Sequence, residues 1–130
     1  MTAQLGMTEI NGADYSVWHS PQNSTVVFQG SLSLGSTLDY TPIIQLLEAA
    51  IASVPSDRSA DEVSPTLRLD LRKLEFLNSS GINMLSRFVI MMRQQPQIAL
   101  VILGSKAVIW QGRSLKNLQR LMPTMQVEWA

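Results

Sequence analysis

In the stretch LRLDLRKLEFLNSSGINML, Leu67 to Leu85, the apolar spacing changes from two residues to between three and four. Leu67, Leu69 and Leu71 alternate with Thr66, Arg68 and Asp70, the pattern of a strand with one buried face. A short apolar link (Leu74, Phe76, Leu77) is expected to pack down onto the core. Ser80 to Gln95 then reads as a helix with its buried stripe on Ile82, Leu85, Phe88, Val89 and Met92, ended by Pro96. Ala99 to Leu103 is a continuous apolar run, typical of a central strand covered on both sides. A strand, a helix and a strand in this order imply parallel pairing.

The flanking segments extend the alternation. Asp14 to Trp18 and Thr25 to Phe28, separated by the turn cluster Ser20 to Ser24 and followed by Gly30, read as an antiparallel hairpin. Ser31 to Thr37 is loop-like. Ile44, Leu47, Ile51 and Val54 recur at helical spacing, with Pro42 in the first turn and Thr41 as the expected N-cap. The stretch PSDRSADEVSP, residues 55 to 65, is the least structured and is expected to be a mobile loop. After Gly104 and Ser105, two short helices are expected. The first covers Lys106 to Gln111; the second turns Leu115, Leu118 and Met122 inward and Arg113, Lys116 and Arg120 outward. Met125 to Trp129 alternates as an edge strand. The expected architecture is a single α/β domain over residues 1–130. Its sheet is mixed and mostly parallel, of four to five strands, with helices mainly on one face. Residues 1–13 are expected to form a loosely ordered extension.

Composition narrows the chemistry. At 130 residues the chain suits one core. There is no cysteine, so disulfides, thiolate catalysis and cysteine-ligated zinc are excluded. The single histidine, His19, is read as a surface residue without partners for a histidine metal site. No uncharged apolar run reaches the roughly 18 residues of a membrane span, and Met1 to Ile10 has neither the basic stretch nor the apolar core of a secretory signal. A soluble, cytoplasmic protein is the expectation. The glycosylation sequons at Asn23 and Asn78 are then chance matches. Asp70 and Glu75 lack a base or metal ligand beside them, and Ser79 has no motif-coupled activating base, so no enzymatic activity is expected. Trp18, Trp110 and Trp129 are read as core or edge packing.

Charge is unevenly spread. Residues 1–57 hold five acids and no base; residues 58–130 hold ten bases against five acids. Between Glu75 and Glu128 there are only cations, and Arg113, Lys116 and Arg120 form a basic face. With so little aromatic interleaving this reads as a solvated face, and nucleic acid is not the expected partner.

The order of these elements around Asn78-Ser79-Ser80-Gly81 resembles the STAS domain, the fold of anti-sigma factor antagonists and of the cytoplasmic tails of sulfate transporters. In the antagonists an L-x-L-D-L strand is followed by an apolar pair, then Asp-Ser-Ser-Gly, then an apolar helix. Here these are Leu67 to Leu71, Phe76-Leu77, Asn78 to Gly81, and Ile82 onward. The hairpin ending in Gly30 is similar to the family's opening strands, and Ser105 with Ala107-Val108 stands where its next helix starts. The resemblance runs from about Asp14 to Trp129.

It implies a regulatory protein-binding module that switches partners when the first serine, Ser79 here, is phosphorylated. The implied partner is a serine kinase that is itself an anti-sigma factor with a histidine-kinase-like ATP fold, opposed by a serine phosphatase. ATP belongs to that partner, so the chain is expected to bind no cofactor and no metal, and to be a monomer or weak homodimer. The expected binding face is Asn78, Ser79, Ser80, Gly81, Asn83, Met84, Arg87 and Ile90. Methionines at Met84 and Met91 beside Ile90 suit a protein-binding surface; alternatively, neighbouring loops cover them. Two departures mark a divergent branch: Asn78 replaces the family's acid, and Gly30-Ser31-Leu32-Ser33 replaces Gly-Glu-Leu-Asp. The alternative function is a non-switching scaffold that multimerises in a signalling assembly.

Overall fold

A computed structural model describes residues 8–54 and 65–130. The expected mobile loop at 55–65 falls, but for Pro65, outside the described residues. Among the described residues six strands form one sheet in the order β1 to β6: Thr8–Asn11, Tyr15–Ser20, Thr25–Leu32, Thr66–Leu77, Ala99–Gly104 and Gln126–Trp129. The first two pairings are antiparallel and the last three parallel. The mixed, mostly parallel sheet is as expected, with six strands rather than four to five. The additional strand is β1, in the stretch expected to be a loose extension. Ile10 pairs with Val17 and packs on the core, which draws that segment into the sheet.

Among the described residues three α-helices join the parallel strands: α1 (Thr41–Ser53), α2 (Ser79–Arg93) and α3 (Ile109–Leu121). Strand order advances one place at every crossover, and right-handed crossovers then put all three helices on the same face. They lie side by side, with α2 touching both α1 and α3. The core lies between this layer and the sheet, with Val17, Val26, Phe28, Leu69 and Ile102 at 0% exposure on the strand side.

Several expectations change for identifiable reasons. His19 is buried, not on the surface. Strand β2 runs to Ser20, so the alternation that buries Val17 also buries His19 beneath α1, where its Nε2 lies 3.3 Å from the Ser53 hydroxyl. Burial lowers its pKa. Residues 109–121 form one helix, not two short ones; Gly112 sits within it. A helical glycine costs about 1 kcal/mol, which the fully buried Leu115 and the well-buried Leu118 offset.

The apolar link after Leu71 is strand rather than loop. Relative to β3, strand β4 gains a residue twice, between the partners of Val27 and Gln29 and again between those of Gly30 and Ser31. Each irregularity shifts the alternation by one residue. Leu74 and Leu77 therefore reach the same core as Leu71, while Phe76 turns outward at 49% exposure. Strand β5 pairs only with Thr66 to Asp70, leaving the far half of β4 open on that side. Helix α3 covers it. Gln111, fully buried, donates through Nε2 to the carbonyls of Leu71 (2.7 Å) and Leu74 (3.1 Å) and accepts from Ser105 N at 2.9 Å. Trp110 Nε1 donates to Glu75 O at 3.0 Å.

Candidate functional site at the start of the second helix

The chain leaves β4 at Leu77 and enters α2 at Ser79, so a single residue, Asn78, makes the turn. Its extended backbone (φ −82°, ψ 178°) places the side chain over the first turn. Asn78 Oδ1 accepts from Gly81 N at 2.9 Å, the geometry of an N-cap. The same oxygen accepts from the Tyr40 hydroxyl at 2.6 Å, and Asn78 Nδ2 donates to Leu34 O at 2.8 Å. The Asn78 backbone N–H donates to Leu32 O at 3.1 Å.

The cap thus ties together β3, the loop after it, the 3-10 helix Thr37–Tyr40 and α2. Tyr40 is fully buried, and its burial pushes the hydroxyl pKa up, which keeps it protonated as a donor. Gly81 is required by close packing. A Cβ there would strike the Leu77 side chain and come within 2.8 Å of the Tyr40 hydroxyl.

This arrangement explains why an amide rather than a carboxylate stands at position 78. Both would cap Gly81. Only the amide also donates, as Asn78 does to the Leu34 carbonyl. A carboxylate would set a negative oxygen against that carbonyl.

Ser79 is the first helical residue and is exposed. Among the described residues no hydrogen bond holds its hydroxyl. Gly81 N is taken by Asn78, and the helix ladder begins with Ile82 N donating to Asn78 O at 2.9 Å. The N–H groups of Ser79 and Ser80 are left at the positive end of the helix dipole. Ser80 is half-buried and Gly81 buried.

From Ser79, the exposed residues Asn83, Arg87 and Ile90 follow at intervals of four, four and three, one line along the outer side of α2. Ile90, 43% exposed, stands at the wall of an open cavity of about 550 Å³ shared with Glu48, Ile51 and Met91. Met84, expected on this face, is instead fully buried. Helices α1 and α3 flank α2 on both sides, which widens the buried stripe to take in Gly81 and Met84. Met91 is half-buried.

Exposed apolar side chains surround the same end of the sheet, among them Phe76, which was expected to pack onto the core. Leu38, 80% exposed, sits on the 3-10 helix that packs against α2. Phe76 lies three residues before Ser79. Ile109, 93% exposed, opens α3 and borders a shallow cavity with Glu75 and Trp110. Leu38 and Ile109 follow the C-terminal ends of β3 and β5, and Phe76 lies at the C-terminal end of β4, the side where open α/β sheets commonly take their ligands. Leu38 had a faint sequence signal, as the one bulky apolar residue between Gly35 and Tyr40; Phe76 had none, because its direction depends on the register of β3.

Comparison with known proteins agrees at the level of fold. The chain is similar to the crystal structure of apo-SiaC from Pseudomonas aeruginosa, with a TM-score of 0.58 and 16% sequence identity, covering 97% of this chain and 98% of that one. No family model and no curated protein sequence matches the chain. Among the described residues no helix is long and apolar enough to cross a membrane.

Proposed function

We propose that this chain is a regulatory protein-binding module of the anti-sigma factor antagonist kind, released from its partner when Ser79 is phosphorylated. The observation that carries this reading is the separation of two jobs at one helix start. Asn78 caps α2 and anchors the surrounding loops, while the neighbouring Ser79 hydroxyl stays exposed and unbonded. A phosphate there meets free N–H groups and the positive dipole end, so it leaves the fold intact. It also places nearly two negative charges in a surface that a partner must desolvate.

The binding face is centred on Ser79 and runs along Asn83, Arg87 and Ile90, with Asn78, Ser80 and Gly81 shaping its start. Leu38 and Phe76 add apolar anchors of the type that interface cores use. The partner is a serine kinase of the anti-sigma type that brings its own ATP, and a phosphatase resets the switch; both fit a cytoplasmic setting. The neutral Asn78 removes a charge that the family's usual kinase would meet, so the cognate kinase is one adapted to an uncharged cap.

The test is a titration of the purified cognate kinase, identified by capture from the protein's own cells, against wild type, Ser79→Ala and Ser79→Asp. The expected result is unchanged affinity for Ser79→Ala and at least about tenfold weaker binding for Ser79→Asp. Equal affinity for all three contradicts the switch.

A further inference from the structure

A second surface lies at the far edge of the sheet. No strand pairs with the outer side of β6 among the described residues. Ala130 N donates to Gly104 O at 2.9 Å, and Ala130 O accepts from Lys106 N at 3.3 Å. Backbone groups alternate in direction along a strand, so Glu128 and Gln126 also face β5. Val127 and Trp129 therefore direct their N–H and C=O groups outward, an open template for another strand.

Beside this edge, α3 presents Ile109, Arg113, Lys116 and Arg120 at intervals of four, three and four, one line along the helix. With Lys106 and Trp129 they line an open groove of about 690 Å³ whose walls carry four cations and no acid. None of the four cations is in an ion pair among the described residues. The Trp129 ring lies over Gly104, on the side of the sheet that α3 covers, and remains 38% exposed. The groove thus offers three things together: a free backbone edge, a row of positive charge and two apolar contacts.

We propose that this groove binds an acidic, extended segment of a partner protein, added beside β6 as a seventh strand. Its acidic side chains meet Arg113, Lys116 and Arg120, and an apolar side chain seats against Ile109 and Trp129. The spacings agree. Alternate side chains on one face of a strand are about 6.7 Å apart; Arg113 to Lys116 and Lys116 to Arg120 advance about 4.5 and 6 Å along the helix. Strand addition to a sheet edge is a general mode of peptide capture, with backbone bonds giving affinity and alternate side chains giving specificity. Nucleic acid fits less well, because it cannot use the backbone edge and Glu128 lies on the same strand. This surface does not include Ser79, so it stands or falls apart from the switch proposed above.

The experiment uses the isotope-labelled full chain and nuclear magnetic resonance at low salt. The probes are an extended peptide that carries glutamates and one leucine on the same strand face with threonines between them, its counterpart with lysine for each glutamate, the glutamate peptide N-methylated along its backbone, and duplex DNA and RNA. The glutamate peptide is expected to shift the amides of Val127 and Trp129 together with those of α3, and to slow exchange at the two strand amides. The doubly substituted Arg113→Glu, Arg120→Glu protein, changed only at exposed positions, should bind it about tenfold more weakly. Ser79→Asp should bind it unchanged. The inference is overturned if the lysine or the N-methylated peptide binds equally well, or if the shifts fall on α2 instead. Tighter binding of a duplex than of the acidic peptide, or no shift at millimolar peptide, overturns it equally.

Discussion

Two amide side chains, Asn78 and Gln111, fasten the approaches to α2 and α3, and they do so in different surroundings. Asn78 is half-buried and caps its own helix while reaching Tyr40 and Leu34. Gln111 is fully buried and caps nothing; it spans from Ser105 N to two carbonyls of β4. Each uses its oxygen as acceptor and its nitrogen as donor at once, which no carboxylate does. The comparison separates the value of an amide from the value of burial. At the start of α2 the residue that holds the helix, Asn78, is not the one left exposed, Ser79. Helix α3 has no side-chain cap and is held from within by Gln111, leaving Ile109 in solvent.

Changing each amide to its carboxylate tests that comparison most severely. Gln111→Glu would press a charge against two buried carbonyls and should cost about 3 kcal/mol or more, read by urea unfolding. Asn78→Ala removes the cap and the Leu34 donor and should cost about 2 kcal/mol by the same measurement. Asn78→Asp keeps the cap and gains a favourable helix-dipole contact but opposes the Leu34 carbonyl; the net loss should be about 1 kcal/mol. Equal losses for Gln111→Glu and Asn78→Asp would show that burial is not what distinguishes them.

A pH series sharpens the picture away from both helix starts. Burial holds His19 below the ordinary histidine value in the folded chain. As pH falls through about 6.5, the unfolded chain takes up a proton that the folded chain does not, so stability should decline. His19→Gln should flatten that decline in thermal melts between pH 7 and pH 5. The smallest effect expected is that of Ser79→Asp on stability, within about 1 kcal/mol and in the stabilising direction, as for an acid at a helix N-terminus. A loss larger than that by urea unfolding would mean that charge at Ser79 acts on the fold.

Much of this was legible in the sequence, and the parts that were not share one cause. The strand at Leu67 to Leu71, the apolar run at Ala99 to Leu103 and the helix that follows Gly81 are legible from local spacing. Misreadings arise where a neighbour decides the outcome. Phe76 turns outward because β4 gains residues against β3, which only the paired strand reveals. Met84 is buried because two helices flank α2, and His19 because α1 lies over β2. Gln111 looks like an ordinary polar helix residue until the unpaired carbonyls of β4 are placed beside it. The candidate site was legible as the Asn78 to Gly81 motif, but its apolar rim of Leu38 and Phe76 depends on the packing of a 3-10 helix against α2 and on the register of β4 against β3.

The claim at the centre is that the Ser79 hydroxyl is the modified group of a switch. Peptide mass spectrometry of the protein purified from its own cells, across growth and stress conditions, tests it directly. The expected finding is a phosphate on Ser79 whose occupancy changes with condition and vanishes in Ser79→Ala. Phosphate confined to other residues, or a Ser79 unmodified in every condition, would contradict it.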